Sequence, residues 1–176
     1  MSLSIGSSAP DFSLPGVDGE TWSLSSFAEK PVLVVIFSCN HCPYVVAYEE
    51  RMTQIQRDYA ERGVQTVAIN PNNEKSHPAD SFEKMVQRAK DRAFNFPYLR
   101  DESQDVARAY GARFTPEIFA FDKDRKLAYH GRIDDNYDDP FDVRRHDLRE
   151  ALDEMLAGKS VSVPDTEPIG CSVKWK

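Results

Sequence analysis

The chain has 176 residues, 40% of them hydrophobic, and a formal net charge of −7 at pH 7. That much apolar material suffices for one core, so we expect a single domain over residues 1–176. The acidic balance disfavours nucleic acid and anionic membranes as partners, and the longest apolar run, residues 32–37, is far too short to cross a bilayer. Residues 1–6 lack the basic and apolar parts of a signal peptide, and three cysteines are too few for a disulfide framework. We therefore expect a cytoplasmic protein.

The hydrophobic pattern predicts strands and helices that alternate along the chain. Around Asp18-Gly19, apolar and polar residues alternate as in a β-hairpin. Residues 32–37 are apolar on both faces, as in a central strand that helices cover on both sides, and the segment 45–59 has helical spacing. The remaining predicted elements are a strand at 64–69, a helix near 80–91, a short strand at 98–99, a helix at 106–110, a strand at 117–121 with its partner at 127–133, and a final helix that Asp139-Pro140 caps and Gly158 ends. Since a strand, a helix and a second strand in one sheet form a right-handed parallel unit, the core is predicted to be α/β.

The motif Cys39-Asn40-His41-Cys42-Pro43 follows the central strand and precedes the first long helix. A helix N-terminus carries unpaired N–H groups and a positive partial charge, which stabilise a thiolate and lower its pKa. We expect Cys39, at the exposed edge of the turn, to be the nucleophile and Cys42 to resolve the mixed disulfide that forms on it. Asn40, His41 and Pro43 are expected to tune the pair, with a protonated His41 favouring the thiolate.

Two other roles for a Cys-x-x-Cys motif stay open. It can supply half of a zinc site, but a structural zinc usually needs four ligands. The remaining candidate ligands lie in no second paired motif; they are Cys171, His77, His130 and His146. The two thiols can also be inert core residues. We predict redox chemistry with no metal and no cofactor, and we assign no role to the three scattered histidines.

Cys39-x-x-Cys42 after a central strand, with Thr115-Pro116 before a later strand, resembles the thioredoxin superfamily. The opening Ala9-Pro-Asp-Phe, the hairpin and the helix near 80–91 resemble its redoxin branch, which includes AhpC/TSA proteins and TlpA-like oxidoreductases. Four segments resemble a group of bacterial thioredoxin-like proteins more closely: CNHCPYV at 39–45, TPE at 115–117, IDDN at 133–136 and GCSVKWK at 170–176. The resemblance covers nearly the whole chain. It implies an α/β thioredoxin-like fold, a central mixed β-sheet flanked by helices, with an N-terminal β-hairpin and an inserted helix.

The resemblance also implies a substrate-binding role for Thr115 and Pro116. The peptide bond before Pro116 is expected to be cis, with the Thr115 backbone facing the Cys39 sulfur and able to pair with an extended substrate. A plainer alternative is that Pro116 only begins an edge strand. The implied activity is thiol:disulfide exchange between a protein or small-molecule disulfide and a thiol electron donor.

Two positions depart from the patterns of related families. The buried acid that assists thioredoxin corresponds to Leu33, so proton transfer needs another group, for which Glu117 is a candidate; the alternative for Glu117 is a solvent-facing strand residue. Peroxiredoxins have Thr or Ser three residues before the peroxidatic cysteine, where this chain has Ile36 before Cys39. A thiol-dependent peroxidase and a non-catalytic thioredoxin-like binding module therefore stay open as alternative functions.

Cys171 lies in the C-terminal tail, residues 159–176. Trp175 suggests that this tail docks on the domain, although chain ends are often disordered. A docked Cys171 is a candidate third thiol that resolves a disulfide or sulfenic acid on Cys39. The alternative is a packed cysteine without a catalytic role.

Overall fold

The strand β3 (Val32–Phe37) is the centre of the fold, and all six of its side chains are buried. Its β-branched and aromatic residues suit a strand that is covered on both faces. β3 pairs in parallel with β4 (Val64–Asn70) and antiparallel with β7 (Glu117–Phe121). With β5 (Tyr98–Arg100) and β8 (Leu127–Gly131) at its edges, the mixed sheet has the order β5-β4-β3-β7-β8.

The computed structural model describes residues 2–176. The predicted hairpin is confirmed: Asp18-Gly19 turns the chain between β1 (Ser13–Pro15) and β2 (Thr21–Ser23). The helices are α1 (Pro43–Tyr59), α2 (Phe82–Asp91), α3 (Asp105–Tyr110) and α4 (Asp147–Leu156), and two short strands are β6 (Phe114–Thr115) and β9 (Cys171–Ser172). None of the helices within residues 2–176 is long and apolar enough to span a membrane.

Side chains of β3 alternate between two apolar layers. Val34 and Ile36 pack in a layer with α1, α2 and α4. Leu33 and Val35 pack on the other face with α3 and the hairpin. The sheet is therefore covered on both sides, which confirms the predicted central mixed sheet with helices on its faces. The helix predicted near residues 80–91 is α2, and its N-cap is Ser81, whose side chain accepts a hydrogen bond from the Lys84 N–H.

The final helix begins later than predicted. Asp139 caps only a short 3-10 turn, Pro140–Asp142, where its carboxylate accepts a hydrogen bond from the Phe141 N–H at 2.9 Å. The chain then becomes extended at Val143, and α4 begins only at Asp147. The prediction that Asp139-Pro140 caps the final helix is wrong because Asp-Pro begins a one-turn 3-10 helix as readily as an α-helix.

The apolar stripe of α1 fixes the helix on the sheet. Its buried residues include Val45, Tyr48, Met52, Ile55 and Tyr59, at the predicted spacing of three and four. Since α1 begins directly after Cys42, this packing also fixes the position of the motif relative to the strands.

Replacement of Met52 tests how much this packing contributes. Met52 is 1% exposed, so Met52→Ala should lower the free energy of unfolding by about 2–5 kcal/mol, because it leaves a cavity between α1 and the sheet. The control is Val46→Ala on the exposed side of the same helix, which should change stability by less than about 0.5 kcal/mol. Urea denaturation measures both, and equal effects of the two substitutions would contradict the packing described.

Candidate dithiol site

Cys39 and Cys42 lie between the end of β3 and the start of α1. Cys42 is the N-cap residue of this 17-residue helix, and Pro43 occupies its first turn, where the absence of an N–H costs nothing. The thiols therefore lie at the positive end of the helix dipole, which favours an anion at this position. All three cysteines are free thiols in the structure.

Both cysteines of the motif are buried. Cys39 is 2% exposed and Cys42 is not exposed, so the prediction that Cys39 lies at the exposed edge of the turn is wrong. The two residues form a small apolar cluster with Val45, against which the Cys171 side chain packs. The sequence could not predict this burial, because Cys171, which packs against the two cysteines, lies near the other end of the chain.

Thr115 contacts both sulfurs of the motif. Its hydroxyl oxygen lies 3.4 Å from the Cys39 sulfur, and its carbonyl oxygen accepts a hydrogen bond from the Cys42 thiol at 3.3 Å. The Thr115-Pro116 peptide bond is cis, as the family resemblance implied. Pro116 is buried between β6 and β7, so it does more than begin an edge strand.

Asp80 holds the two residues between the cysteines. Its buried carboxylate accepts a hydrogen bond from the Asn40 N–H at 2.7 Å and lies 2.6 Å from His41 Nδ1. The Asn40 side chain in turn donates to the Ala79 carbonyl and accepts from the Tyr98 hydroxyl. Asn40 therefore anchors the loop, and His41 contacts the same carboxylate that influences the pKa of Cys39.

The protonation states of the two motif thiols are coupled, and their pKa values shift in opposite directions. The hydrogen bond to Cys42, burial and the Asp80 charge raise the pKa of Cys39 above its usual range. The hydrogen bond from Cys39 outweighs burial and, with a hydrogen bond from Cys171, lowers the pKa of Cys42 to about 5. The two sulfurs therefore share a proton, and the anion belongs to the pair as a unit.

Glu117 directly follows the cis-proline, at the start of β7, where it lies opposite Phe37 of β3. Its fully buried carboxylate accepts hydrogen bonds from the Arg113 and Phe114 N–H groups and lies 2.6 Å from His130 Nε2. The alternative of a solvent-facing strand residue is therefore wrong. Burial alone would lower the pKa of His130, but its hydrogen bonds to Glu117 and Asp165 raise it. This cluster fixes the loop that leads into Thr115.

Cys171 lies beside Cys42, because β9 pairs antiparallel with β6 and sets Cys171 opposite Thr115. Its side chain packs against the cluster of Cys39, Cys42 and Val45, and its proximity lowers the pKa of Cys42. Burial and the proximity of Cys42 raise the pKa of Cys171 to about 11. Three sulfurs thus share one cluster, and all three residues contact or pair with Thr115.

One group of potential metal ligands occurs within residues 2–176. The ligand atoms of Cys39, His41 and Asp80 lie within 4.8 Å of one another. This group leaves out Cys42 and provides fewer ligands than the four of a structural zinc site. The Asp80 carboxylate is moreover already engaged by Asn40, Asn70 and Asn72, so a metal would have to compete with these bonds.

Sequence reasoning missed three residues that support the site. The sequence places Asp80 only at the start of a predicted helix and Tyr98 only in a predicted strand, and it assigns no role to His130. Each acts through contacts with residues far along the chain, so no local spacing marks it. One signal was available: these polar side chains lie in segments that are otherwise apolar. Buried polar groups need hydrogen-bond partners, so such positions indicate contacts with other segments.

A cis-proline beside a Cys-x-x-Cys pair, on a mixed sheet with helices on both faces, defines a thioredoxin-like protein. The Redoxin family model matches residues 4–150, and the chain belongs to this family, in the redoxin and AhpC/TSA branch of the thioredoxin superfamily.

Comparison with individual proteins agrees with this assignment. The solved structure of a hypothetical protein from Sinorhizobium meliloti 1021 is 41% identical and has a TM-score of 0.94; the match covers 100% of this chain and 97% of that one. Thiol-disulfide oxidoreductase ResA from Geobacillus thermodenitrificans is 28% identical over 127 residues, which are 71% of this chain and 67% of the relative. The chloroplastic peroxiredoxin Q of Triticum aestivum is 28% identical over 109 residues, 62% of this chain and 46% of that protein.

Replacement of Asp80 tests its influence on the thiols. Asp80→Asn keeps an acceptor for the Asn40 N–H but removes the negative charge, so the pKa of Cys39 should fall. Ultraviolet absorbance of the thiolate as a function of pH measures this change. The control is Asp101→Asn, a buried acid that accepts from the first N–H groups of α3 and should leave the thiol titration unchanged. An unchanged titration in Asp80→Asn would show that its charge does not reach the cysteines.

Proposed function

We propose that the protein is a thiol:disulfide oxidoreductase in which Cys39 attacks a disulfide substrate and Cys42 resolves the resulting mixed disulfide. The observation that carries the proposal is the contact of both sulfurs with the cis-peptide residue Thr115, at 3.4 and 3.3 Å. The relatives named thiol-disulfide oxidoreductase support the same chemistry.

The shared proton of the pair suits this sequence of attacks. When the proton passes from Cys39 to Cys42, the Cys42 thiol can donate to the Thr115 carbonyl oxygen, and the anion is left on Cys39. The Cys39 thiolate then attacks one sulfur of the substrate disulfide, and the other sulfur leaves as a thiolate. Attack by Cys42 on the Cys39 sulfur forms the Cys39–Cys42 disulfide and releases the second substrate thiol.

The partners follow from this chemistry. One partner is a protein or small-molecule disulfide, and the other is a thiol electron donor that reduces the Cys39–Cys42 disulfide again. The backbone edge at Thr115 pairs with β9 in this structure, so an extended peptide could bind there through main-chain hydrogen bonds only after β9 is displaced. The cytoplasmic location stays a prediction from the sequence.

Two serine variants test the order of attack. Cys39→Ser should lower the rate of insulin disulfide reduction by several orders of magnitude, because it removes the nucleophile. Cys42→Ser should instead accumulate a mixed disulfide on Cys39, which non-reducing electrophoresis and peptide mass mapping detect. Full activity of Cys39→Ser would overturn the assignment, and a dithiol that never exchanges with any disulfide would favour a non-catalytic binding module.

A second candidate function is a thiol-dependent peroxidase, which the relatives named peroxiredoxin favour. Ile36 lies where peroxiredoxins have the Thr or Ser that orients the peroxide, so we expect peroxide consumption no faster than that of a free thiol. Peroxide consumption with a thiol donor measures this rate. A rate far above that of the free thiol, lost in Cys39→Ser, would establish the peroxidase instead.

A further inference from the structure

The C-terminal strand β9 occupies the backbone edge that a peptide substrate would need. Cys171 pairs with Thr115, and Ser172 pairs with Phe114, in antiparallel register. The next residue continues this pairing, because the Val173 N–H donates to the Arg113 carbonyl at 2.9 Å. The chain's own end therefore takes the place of an extended substrate strand.

Contacts on both sides of β9 hold it there. After it, Lys174 accepts a hydrogen bond from the Asn73 N–H and donates its own N–H to the Asn72 side chain, at 2.8 and 2.9 Å. The Arg108 guanidinium lies over the Trp175 ring. Before it, Gly170 approaches Thr115 so closely that a Cβ atom would overlap the Thr115 carbonyl oxygen.

This docking brings Cys171 to the dithiol. Cys171 packs against the cluster of Cys39, Cys42 and Val45, and the strand register sets it opposite Thr115, which contacts both motif sulfurs. The sequence predicted a third thiol that acts on Cys39; here the mutual influence of Cys42 and Cys171 on each other's pKa favours Cys42 as the sulfur that Cys171 attacks.

We propose that Cys171 is a third exchanging thiol that accepts the disulfide from the motif by attacking the Cys42 sulfur. The proposal rests on the proposed function, because the Cys39–Cys42 disulfide formed in that reaction is its oxidant. The packing of Cys171 against the motif cysteines and its pairing with Thr115 bring the three thiols together.

The exchange balances without another reactant. The Cys171 thiolate attacks the Cys42 sulfur, the Cys39–Cys42 bond breaks, the Cys42–Cys171 bond forms, and Cys39 leaves as a thiolate. The proton lost by Cys171 is matched by the one that Cys39 can take up. The thiolate of Cys42 raises the pKa of Cys171 through its charge and a hydrogen bond, and both influences disappear once Cys42 is part of a disulfide. The charge of Lys174 continues to favour the Cys171 thiolate.

After this step the protein would be oxidised, and β9 would still cover the backbone edge at Thr115. The Cys42–Cys171 disulfide ties β9 covalently to the site, so the edge at Thr115 stays covered while Cys39 is a free thiol. A thiol donor that reduces the Cys42–Cys171 bond would release the tail and open the edge for the next substrate.

Thiol mapping of the oxidised full-length protein tests the proposal. The protein is oxidised with oxidised glutathione, quenched in acid, alkylated under denaturing conditions and mapped by mass spectrometry. We expect the free thiol to be divided between Cys39 and Cys171, with a Cys42–Cys171 peptide present. If only Cys171 is alkylated and every disulfide joins Cys39 to Cys42, the transfer of the disulfide to Cys171 is overturned but the proposed function is left intact. If neither a Cys39–Cys42 nor a Cys42–Cys171 disulfide is found, both are overturned.

Two single-cysteine replacements identify the preferred partner of Cys171. In a glutathione buffer, Cys39→Ser should form the Cys42–Cys171 disulfide at least about tenfold more readily than Cys42→Ser forms Cys39–Cys171, because only the first pair is positioned for reaction. Equal yields, or a preference for Cys39–Cys171, would overturn the proposal.

A variant that keeps all three thiols separates docking from chemistry. Gly170→Ala places a methyl group against the Thr115 carbonyl and should displace β9. The Cys42–Cys171 fraction should then fall several-fold, while alkylation of the reduced Cys39–Cys42 pair becomes faster. Circular dichroism verifies that the domain stays folded, and an unchanged Cys42–Cys171 fraction with β9 displaced would count against the relay.

Discussion

The site depends on the position of one backbone unit, the cis-peptide residue Thr115. Its hydroxyl contacts Cys39, its carbonyl accepts from Cys42, and its strand pairs with Cys171. The buried Glu117 carboxylate holds the preceding loop by accepting from the Arg113 and Phe114 N–H groups. Because hydrogen bonds to a charged acceptor are strong and the carboxylate is buried, this loop has little freedom to move away from the sulfurs.

The part of the site around Asp80 is polar, and hydrogen bonds hold it in place as well. Asp80 has no exposed surface, yet its carboxylate is engaged by Asn40, His41, Asn70 and Asn72. A buried carboxyl group needs hydrogen-bond partners, and these contacts fix the Asp80 carboxylate in its position close to the motif. The helix dipole of α1 favours a thiolate while Asp80 opposes one, and the shared proton of the dithiol reflects both influences.

The sequence predicted the fold much more completely than the site. Strand β3, the hairpin and the stripe on α1 follow from patterns of burial that repeat every two or every three to four residues, and these patterns are local. The start of α4 was missed because Asp139 can cap either kind of helix. Burial of Cys39, the cluster of Glu117 with His130 and the pairing of Cys171 with Thr115 all depend on contacts between distant segments, which no spacing in the chain records.

The family model ends at residue 150, so β9 belongs to a part of the chain outside the shared core. Its backbone is nevertheless bonded into the domain almost to the last residue, where the Lys176 N–H donates to the Gln104 side chain. An affinity tag or fluorescent fusion joined after Lys176 would therefore strain the segment that contacts the sulfurs. At the other end, the Ser2 hydroxyl donates to the Gly111 carbonyl and to the Glu117 carboxylate, so a fusion there would lie close to the cluster that fixes the Thr115 loop.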